Sequence, residues 1–401
     1  MDVIDIKKVI ESCHLNFLIG SGASKNFLET LKGVEEALDS LEKRKGLSEK
    51  QTDEKLLKLI EVSIKYFYFK KCIEKNTELL GVTDDSNETL NNYTNLLSAL
   101  HTILAKRTTN LVSKQVNLFT TNMDVFLDIA LEKLNYAYND GFSGRMNTKF
   151  STENFHNIIN KVSSYYEYQS ATPLFNLFKL HGSLNWKYNK EKDTIQYDNQ
   201  LESTKKLSQI KFNDSDLLAC FDNEGDFLGL DKIYKEAEEK DFSKVEKNID
   251  EFLEEYNNLI MVNPNKEKFE ETTLKLSYYE LLRMYSNNIE KENSVLFVTG
   301  FSFADEHIRT ITLRVAKSNP TLLIVIFAFN EVDRDNYKAL LNLSEYNNII
   351  VLTKDNGNYS FGEVYNSIFK EILKDLQISP SENKTTNTSE SSSENKAEDG
   401  K

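Results

Sequence analysis

Cysteine is scarce: Cys13, Cys72 and Cys220 are the only three in 401 residues, and no two stand at metal-pair spacing. A four-thiolate zinc site is excluded, no disulfide framework can be drawn, and a reducing cytoplasm is the expected compartment. Long apolar runs are missing as well. The longest, LLIVIFAF at 322–329, is too short to span a bilayer. MDVIDIKKVIESCHLNF has neither the apolar centre nor the small-residue cleavage site of a signal peptide. Basic charge is outweighed, since 49 Lys and Arg face 63 Asp and Glu and leave a formal −14. The Lys and Arg are also interspersed with acids, which argues for a solvated surface and against direct nucleic-acid binding. No membrane contact is expected either.

What the chain does have is core-forming material: 24 Phe, 19 Tyr and 39% hydrophobic residues. Six unbroken apolar segments each end in polar or glycine-containing sequence. They are LNFLIG (15–20), QVNLFT (115–120), LFNLFKL (174–180), SVLFVTG (294–300), LLIVIFAF (322–329) and NIIVLT (348–353). Continuous rather than alternating runs suit parallel strands covered on both faces. Helical spacing follows in DVFLDIALEKL (124–134), DEHIRTITLRVAKS (305–318) and VDRDNYKALLNL (332–343). The alternation predicts an α/β fold, a Rossmann-like doubly wound parallel sheet.

Two stretches interrupt it. Residues 31–110 lack proline and carry helical periodicity in DEKLLKLIEVSIKYFYFKKCIEK, so they predict a large helical insertion. Residues 187–258, rich in Asn, Lys and Glu with scattered aromatics, predict a second, mixed insertion. One folded body is expected over 1–376. From Pro380, PSENKTTNTSESSSENKAEDGK has no aromatic or large aliphatic residue, so 377–401 is expected to be a disordered tail.

Four strand ends carry polar residues, and ligands of open α/β sheets bind outside the carboxyl ends of the strands. LNFLIGSGASKNFLETL runs a strand into Gly20-Ser21-Gly22-Ala23-Ser24 and then, by its pattern, into a helix. Glycines there let a backbone approach a diphosphate, and a helix N-terminus would add amides and a positive dipole end. Lys25 occupies the place of the third glycine of G-x-G-x-x-G, so a plain tight turn is the other reading. In TTNMD (120–124), Asn122 or Asp124 either caps the next helix or faces a ligand. KLHGSLNW (179–186) sets His181 just past a strand, as a packing group or a site group, with Gly182 expected to leave the neighbouring backbone open. TGFSFADEHI (299–308) again joins a glycine, a small hydroxyl residue and an acid near a helix start.

In that order, GSGAS, TTNMD, HGS and GFSF resemble the sirtuin pattern of glycine-rich turn, Thr-x-Asn-x-Asp, His-Gly and Gly-x-Ser. With MVNPNKEKF (261–269) ahead of LFVTGFSFADEHI, the chain is similar to the sirtuin-like NAD-hydrolysing effectors of bacterial antiphage defence, over most of 10–375. The resemblance implies an NAD glycohydrolase, with NAD as substrate and no metal. It makes Asn122 and His181 catalytic and sets Gly20, Ser21, Gly22, Ala23 and Ser24 at the diphosphate. Thr121 and Asp124 join the same NAD-binding set. Gly300, Phe301 and Ser302 flank the adenosine, and Asn330 lies near the adenine ribose. It further implies a homo-oligomer, a HerA-like ATPase partner and a trigger from outside the chain.

Two departures separate the chain from protein-deacylating sirtuins. It cannot build their four-cysteine zinc module, and KNFLETLKG has no counterpart of the Pro-Asp-Phe-Arg segment that covers nicotinamide. An NAD-dependent deacylase and a non-catalytic nucleotide-sensing subunit are the alternatives.

Overall fold

The structure, a computed structural model, describes residues 3–30, 33–46, 51–82, 86–107, 112–165, 168–262, 272–354 and 357–378. The six apolar segments form six parallel strands, β1 His14–Ile19, β2 Gln115–Thr120, β3 Leu174–Lys179, β4 Ser294–Thr299, β5 Leu323–Phe327 and β6 Ile349–Leu352. Their order across the sheet is 3-2-1-4-5-6, with a two-residue parallel edge strand, Tyr138–Asn139, beside β3. This is the doubly wound Rossmann-like order, and the direction of winding reverses between β1 and β4.

Successive side chains point to opposite faces, and both faces are covered, which is why the strands read as unbroken apolar runs. Phe17, Leu118, Leu177 and Phe297 belong to one buried cluster, and Leu18, Phe119, Phe178 and Val298 to the other. Glu88–Lys106 covers the first face, while Thr272–Ile289 and Glu306–Ser318 cover the second.

The apolar reading hides one polar feature. Asn16, Asn117 and Asn176 stand side by side on β1, β2 and β3, and Asn139 continues the row on the edge strand. Their amides form a ladder: Asn117 donates to Asn16 (2.8 Å), Asn176 to Asn117 (2.9 Å) and Asn139 to Asn176 (3.0 Å). Shifting any strand by one residue would break the row and bury unpaired amides, so the ladder sets register.

The two insertions fold as one helical layer. Gly33–Lys45 and Gln51–Tyr68 from the first pack with Glu202–Gln209, Leu230–Glu238 and Glu246–Asn257 from the second. Phe252 joins them, its ring 5.5 Å from Tyr66 and 5.9 Å from Phe69. A small antiparallel pair, Trp186–Asn189 with Thr194–Tyr197, begins the second insertion.

Local boundaries differ modestly from expectation. The helix after TTNMD runs Phe126–Lys133, and the two later ones run Glu306–Ser318 and Glu331–Leu340. The glycine turn does not lead directly into a helix: Ser21–Ala23 is a single 3-10 turn, and the next helix begins only at Gly33. The last helix, Lys370–Ile378, reaches into the span expected to be tail, the rest of which lies outside the described residues, as does most of MVNPNKEKF. Among the described residues no helix is long and apolar enough to cross a membrane.

Candidate functional site at the switch point

At the end of β1 the chain must turn past the end of β4 at very short range. A Cβ on Gly20 would sit 2.4 Å from the Gly300 carbonyl oxygen, and one on Gly22 would sit 2.8 Å from the Gly300 Cα. Gly300, at φ +64, would drive a Cβ to within 2.5 Å of the Ala23 nitrogen. These glycines therefore serve backbone-to-backbone packing between the two loops. Several amides of the turn are also committed within the protein: Gly20 donates to Thr299, Gly22 to Gly300 (2.9 Å), Ala23 to Gly20 and Ser24 to Ser21. The cradle expected here from a helix N-terminus is absent, because no helix starts there. Ser21 is exposed and Ala23 buried.

TTNMD closes over this turn. Thr120 Oγ1 donates to the Ile19 carbonyl (2.8 Å) and accepts the Asn122 amide (3.0 Å), bending the chain back toward β1. Asn122 Nδ2 then donates to the Gly20 carbonyl at 3.1 Å. The helix cap is Val125, and the first amides go to Asn76 (from Val125, 3.3 Å) and Asp124 (from Phe126, 3.3 Å), so Asn122 is not a capping residue. Instead its Oδ1 is buried with no hydrogen-bond partner, in a side chain only 7% exposed. A buried acceptor left unmade costs about 1–3 kcal/mol, so Oδ1 is open to a further donor, although the Asn122 side chain also meets the Tyr93 hydroxyl that bonds Ser24.

Ser24 and Asp124 spend their side chains on each other. The Ser24 hydroxyl donates to Asp124 Oδ2 at 2.7 Å and pairs with the Tyr93 hydroxyl at 2.9 Å. Asp124 Oδ1 also accepts the Phe126 amide (3.3 Å). Burial pushes the Asp124 carboxyl above its ordinary range, against the pull of the Lys179 ammonium and the Ser24 hydroxyl. Lys179, the one charge in β3, donates to the Asp124 carbonyl and pairs with Asp128 at 2.7 Å, almost fully buried. Asn185 and Tyr197 extend the network from Asp128. Thr121 sits half-buried beside it.

His181 leaves β3 on a turn that clasps TTNMD, since Ser183 and Leu184 both donate to the Met123 carbonyl. Gly182 is not open to a ligand as expected. It has φ +77, pairs in a bridge with Met261, and a Cβ there would fall 2.3 Å from the Ile260 carbonyl oxygen. Leu180, Gly182, Trp186, Ile195 and Tyr278 help line a cavity of about 10 Å³, enough for one water at most. His181 Nε2 lies 2.9 Å from Asp305 Oδ2, within ion-pair distance but not aligned as a hydrogen bond, with both side chains under one-fifth exposed. Burial opposes its ionisation, but the His181 imidazole and the Ile308 amide hold the Asp305 carboxyl down at about 2.

Of the remaining expected residues, Phe301 is buried with its carbonyl bonded to the Tyr337 hydroxyl (2.8 Å), and Ser302 is exposed. Asn330 stands apart, one strand further out at the end of β5, where its side chain caps Glu331–Leu340 by accepting the Asp333 amide. The structure thus brings together Gly20, Gly22, Asn122, Gly300 and Phe301, and draws His181 to them through Met123. Sequence reasoning passed over Asp305 and Lys179. A lone charge in FNLFKL and an acid opening a helix were the available signals.

Fold and site define an α/β protein of the doubly wound class, with a polar cluster at the reversal of its sheet. No protein-family model matches the chain, and no curated protein matches it in sequence.

Proposed function

We propose that the chain is an NAD glycohydrolase, splitting NAD and water into nicotinamide, ADP-ribose and a proton. The observation that carries this reading is the buried, unpartnered Asn122 Oδ1 at the switch point, where nucleotides bind in sheets of this order. A neutral amide oxygen suits a water that must be aligned without a competing charge. Nicotinamide departs as a neutral ring once the glycosidic electron pair returns to its nitrogen, so no strong acid is required. What the reaction needs is a water oriented toward the anomeric carbon and an acceptor for its proton. Asn122 Oδ1 accepts one hydrogen of that water, and the His181 imidazole takes the proton from the water or a ribose hydroxyl. On the packed Gly20–Ser24 turn and Gly300–Ser302 loop, the exposed Ser21 and Ser302 are the polar side chains that stand clear of the packing and can face the dinucleotide.

Such an enzyme has to be gated, and the resemblance in sequence suggests an antiphage effector that acts in the cytoplasm as a homo-oligomer beside a HerA-like ATPase. Three free thiols suit that compartment. The test is product analysis on purified protein with NAD. Free nicotinamide with ADP-ribose supports hydrolysis, an acylated ADP-ribose formed with peptide would make the chain a deacylase, and bound intact NAD would make it a sensor. Asn122→Ala should lower nicotinamide release by about 100-fold or more, the usual worth of a positioned dipole, and leave the melting temperature unchanged or raised. Wild-type rates in that variant would remove Asn122 from the mechanism.

A further inference from the structure

We infer that Asp305 is a positioning residue, whose carboxylate stands beside His181 Nε2 and so favours the tautomer of the imidazole that carries its proton there. The inference rests on the hydrolase reading for its catalytic consequence, but the contact itself does not. β3 and β4 are three strand spacings apart, about 14 Å, with β2 and β1 between them. A 2.9 Å contact between His181 and Asp305 therefore requires the two loops to converge across the ends of the strands that carry Asn122 and Gly20.

The loop that delivers Asp305 is held by more constraints than packing alone demands. Gly300 turns at φ +64, and Phe303, completely buried, is kept at φ +59, a conformation that costs an L residue free energy. Arg309 Nη1 grips the Phe303 carbonyl at 2.7 Å, and the Phe301 and Phe303 rings meet edge-on at 5.0 Å. Asp305 itself divides its two oxygens: Oδ1 accepts the Ile308 amide at 2.9 Å and caps Glu306–Ser318, while Oδ2 faces the imidazole. One oxygen anchors the carboxylate to a helix, and the other is left in a fixed direction. A carboxylate beside Nε2 favours the tautomer that carries its proton there, which leaves the other ring nitrogen as the basic one.

Because Asn and Ser cap helices about as well as Asp, Asp305→Asn and Asp305→Ser should both fold with near wild-type melting. Two readouts then test the role. In protein labelled with ¹⁵N-histidine, the imidazole resonances assigned to His181 by their loss in His181→Ala should shift toward the other tautomer in both variants. In nicotinamide release at saturating NAD, turnover should fall about 10-fold or more with little change in KM, bounded by the roughly 10²–10⁴ that the base itself is worth. In a His181→Ala background the same substitutions should cost nothing further. Unmoved His181 resonances, or a loss that simply adds to that of His181→Ala, would overturn the role. A wild-type protein that releases no nicotinamide while the resonances shift would refute the hydrolase reading and leave the Asp305–His181 pair standing.

Discussion

Single residues here are governed by what their polar atoms can reach. Asn122 and Asp124 were equally plausible caps in the sequence; once folded, Asp124 is consumed by Ser24 and the Phe126 amide, and Asn122 keeps an oxygen bare. Asp140 shows the same contest in its ionisation. Burial pushes its carboxyl up to about 6 from an ordinary 3.8, with the nearby Asp128 charge adding to the rise and the Phe142 amide opposing it. A carboxyl raised in this way favours the fold in its protonated form. That contribution is complete below the unfolded value near 3.8 and is lost as pH rises through about 6. Asp140→Asn stays neutral and keeps an oxygen for the Phe142 amide, which Asp140 accepts at 2.9 Å. It should stabilise the protein by ~1–3 kcal/mol at neutral pH. Thermal melts across pH check this: the advantage should shrink through pH 6 and vanish near pH 4, and a constant difference would contradict it.

At the scale of elements, periodicity was enough to find the strands, whereas their register depends on groups that the same periodicity conceals. The segments LNFL, VNLF and FNLF each carry an asparagine one place in from an apolar start. Only sheet pairing turns the three into a ladder. Asn117 sits in its middle, bonded to both Asn16 and Asn176. Asn117→Leu would strand an acceptor on one neighbour and a donor on the other, at about 1–3 kcal/mol each. Urea unfolding should therefore show a loss of ~2–5 kcal/mol. Replacing all three asparagines with leucine together should cost less than the three single losses added, since the groups then left, Asn139 and Asn288, keep the Asn157 carbonyl and the Lys291 ammonium as partners. Strict additivity would show that the ladder does not act as a unit.

For the molecule as a whole, the two insertions become a single layer although a central part of the sheet lies between them in the chain. Phe252, completely buried, stands where they meet, beside Tyr66, Phe69 and Phe212. Phe252→Ala removes about 3–5 kcal/mol of packing by analogy with other buried aromatics. Amide hydrogen exchange should accelerate in Gln51–Tyr68 as well as in Glu246–Asn257, with β1, β2 and β4 keeping their protection. A response confined to the second insertion would mean that the layer is two independent parts.

Read along the chain, the sequence by itself determined the six strands, their parallel sense and the polar positions at their ends. A strand buried on both faces must be continuously apolar, and it has to stop where polar residues begin. TGFSFADEHI also showed an acid near a helix start, because a cap is made within three residues of itself, while the capping role of Asn330 came only with the structure. Tertiary structure alone decided the rest. That Gly20 and Gly22 press against Gly300 rather than cradling an anion, and that Gly182 packs on Ile260, depends on which loops the strand order makes neighbours. The meeting of His181 with Asp305, the alignment of the asparagines and the joining of the insertions are likewise contacts between distant segments. Pattern along a chain reports which face of an element is buried. It does not report what lies opposite that face, because the crossovers between strands set that, and with it which polar atoms find partners and which, like Asn122 Oδ1, do not.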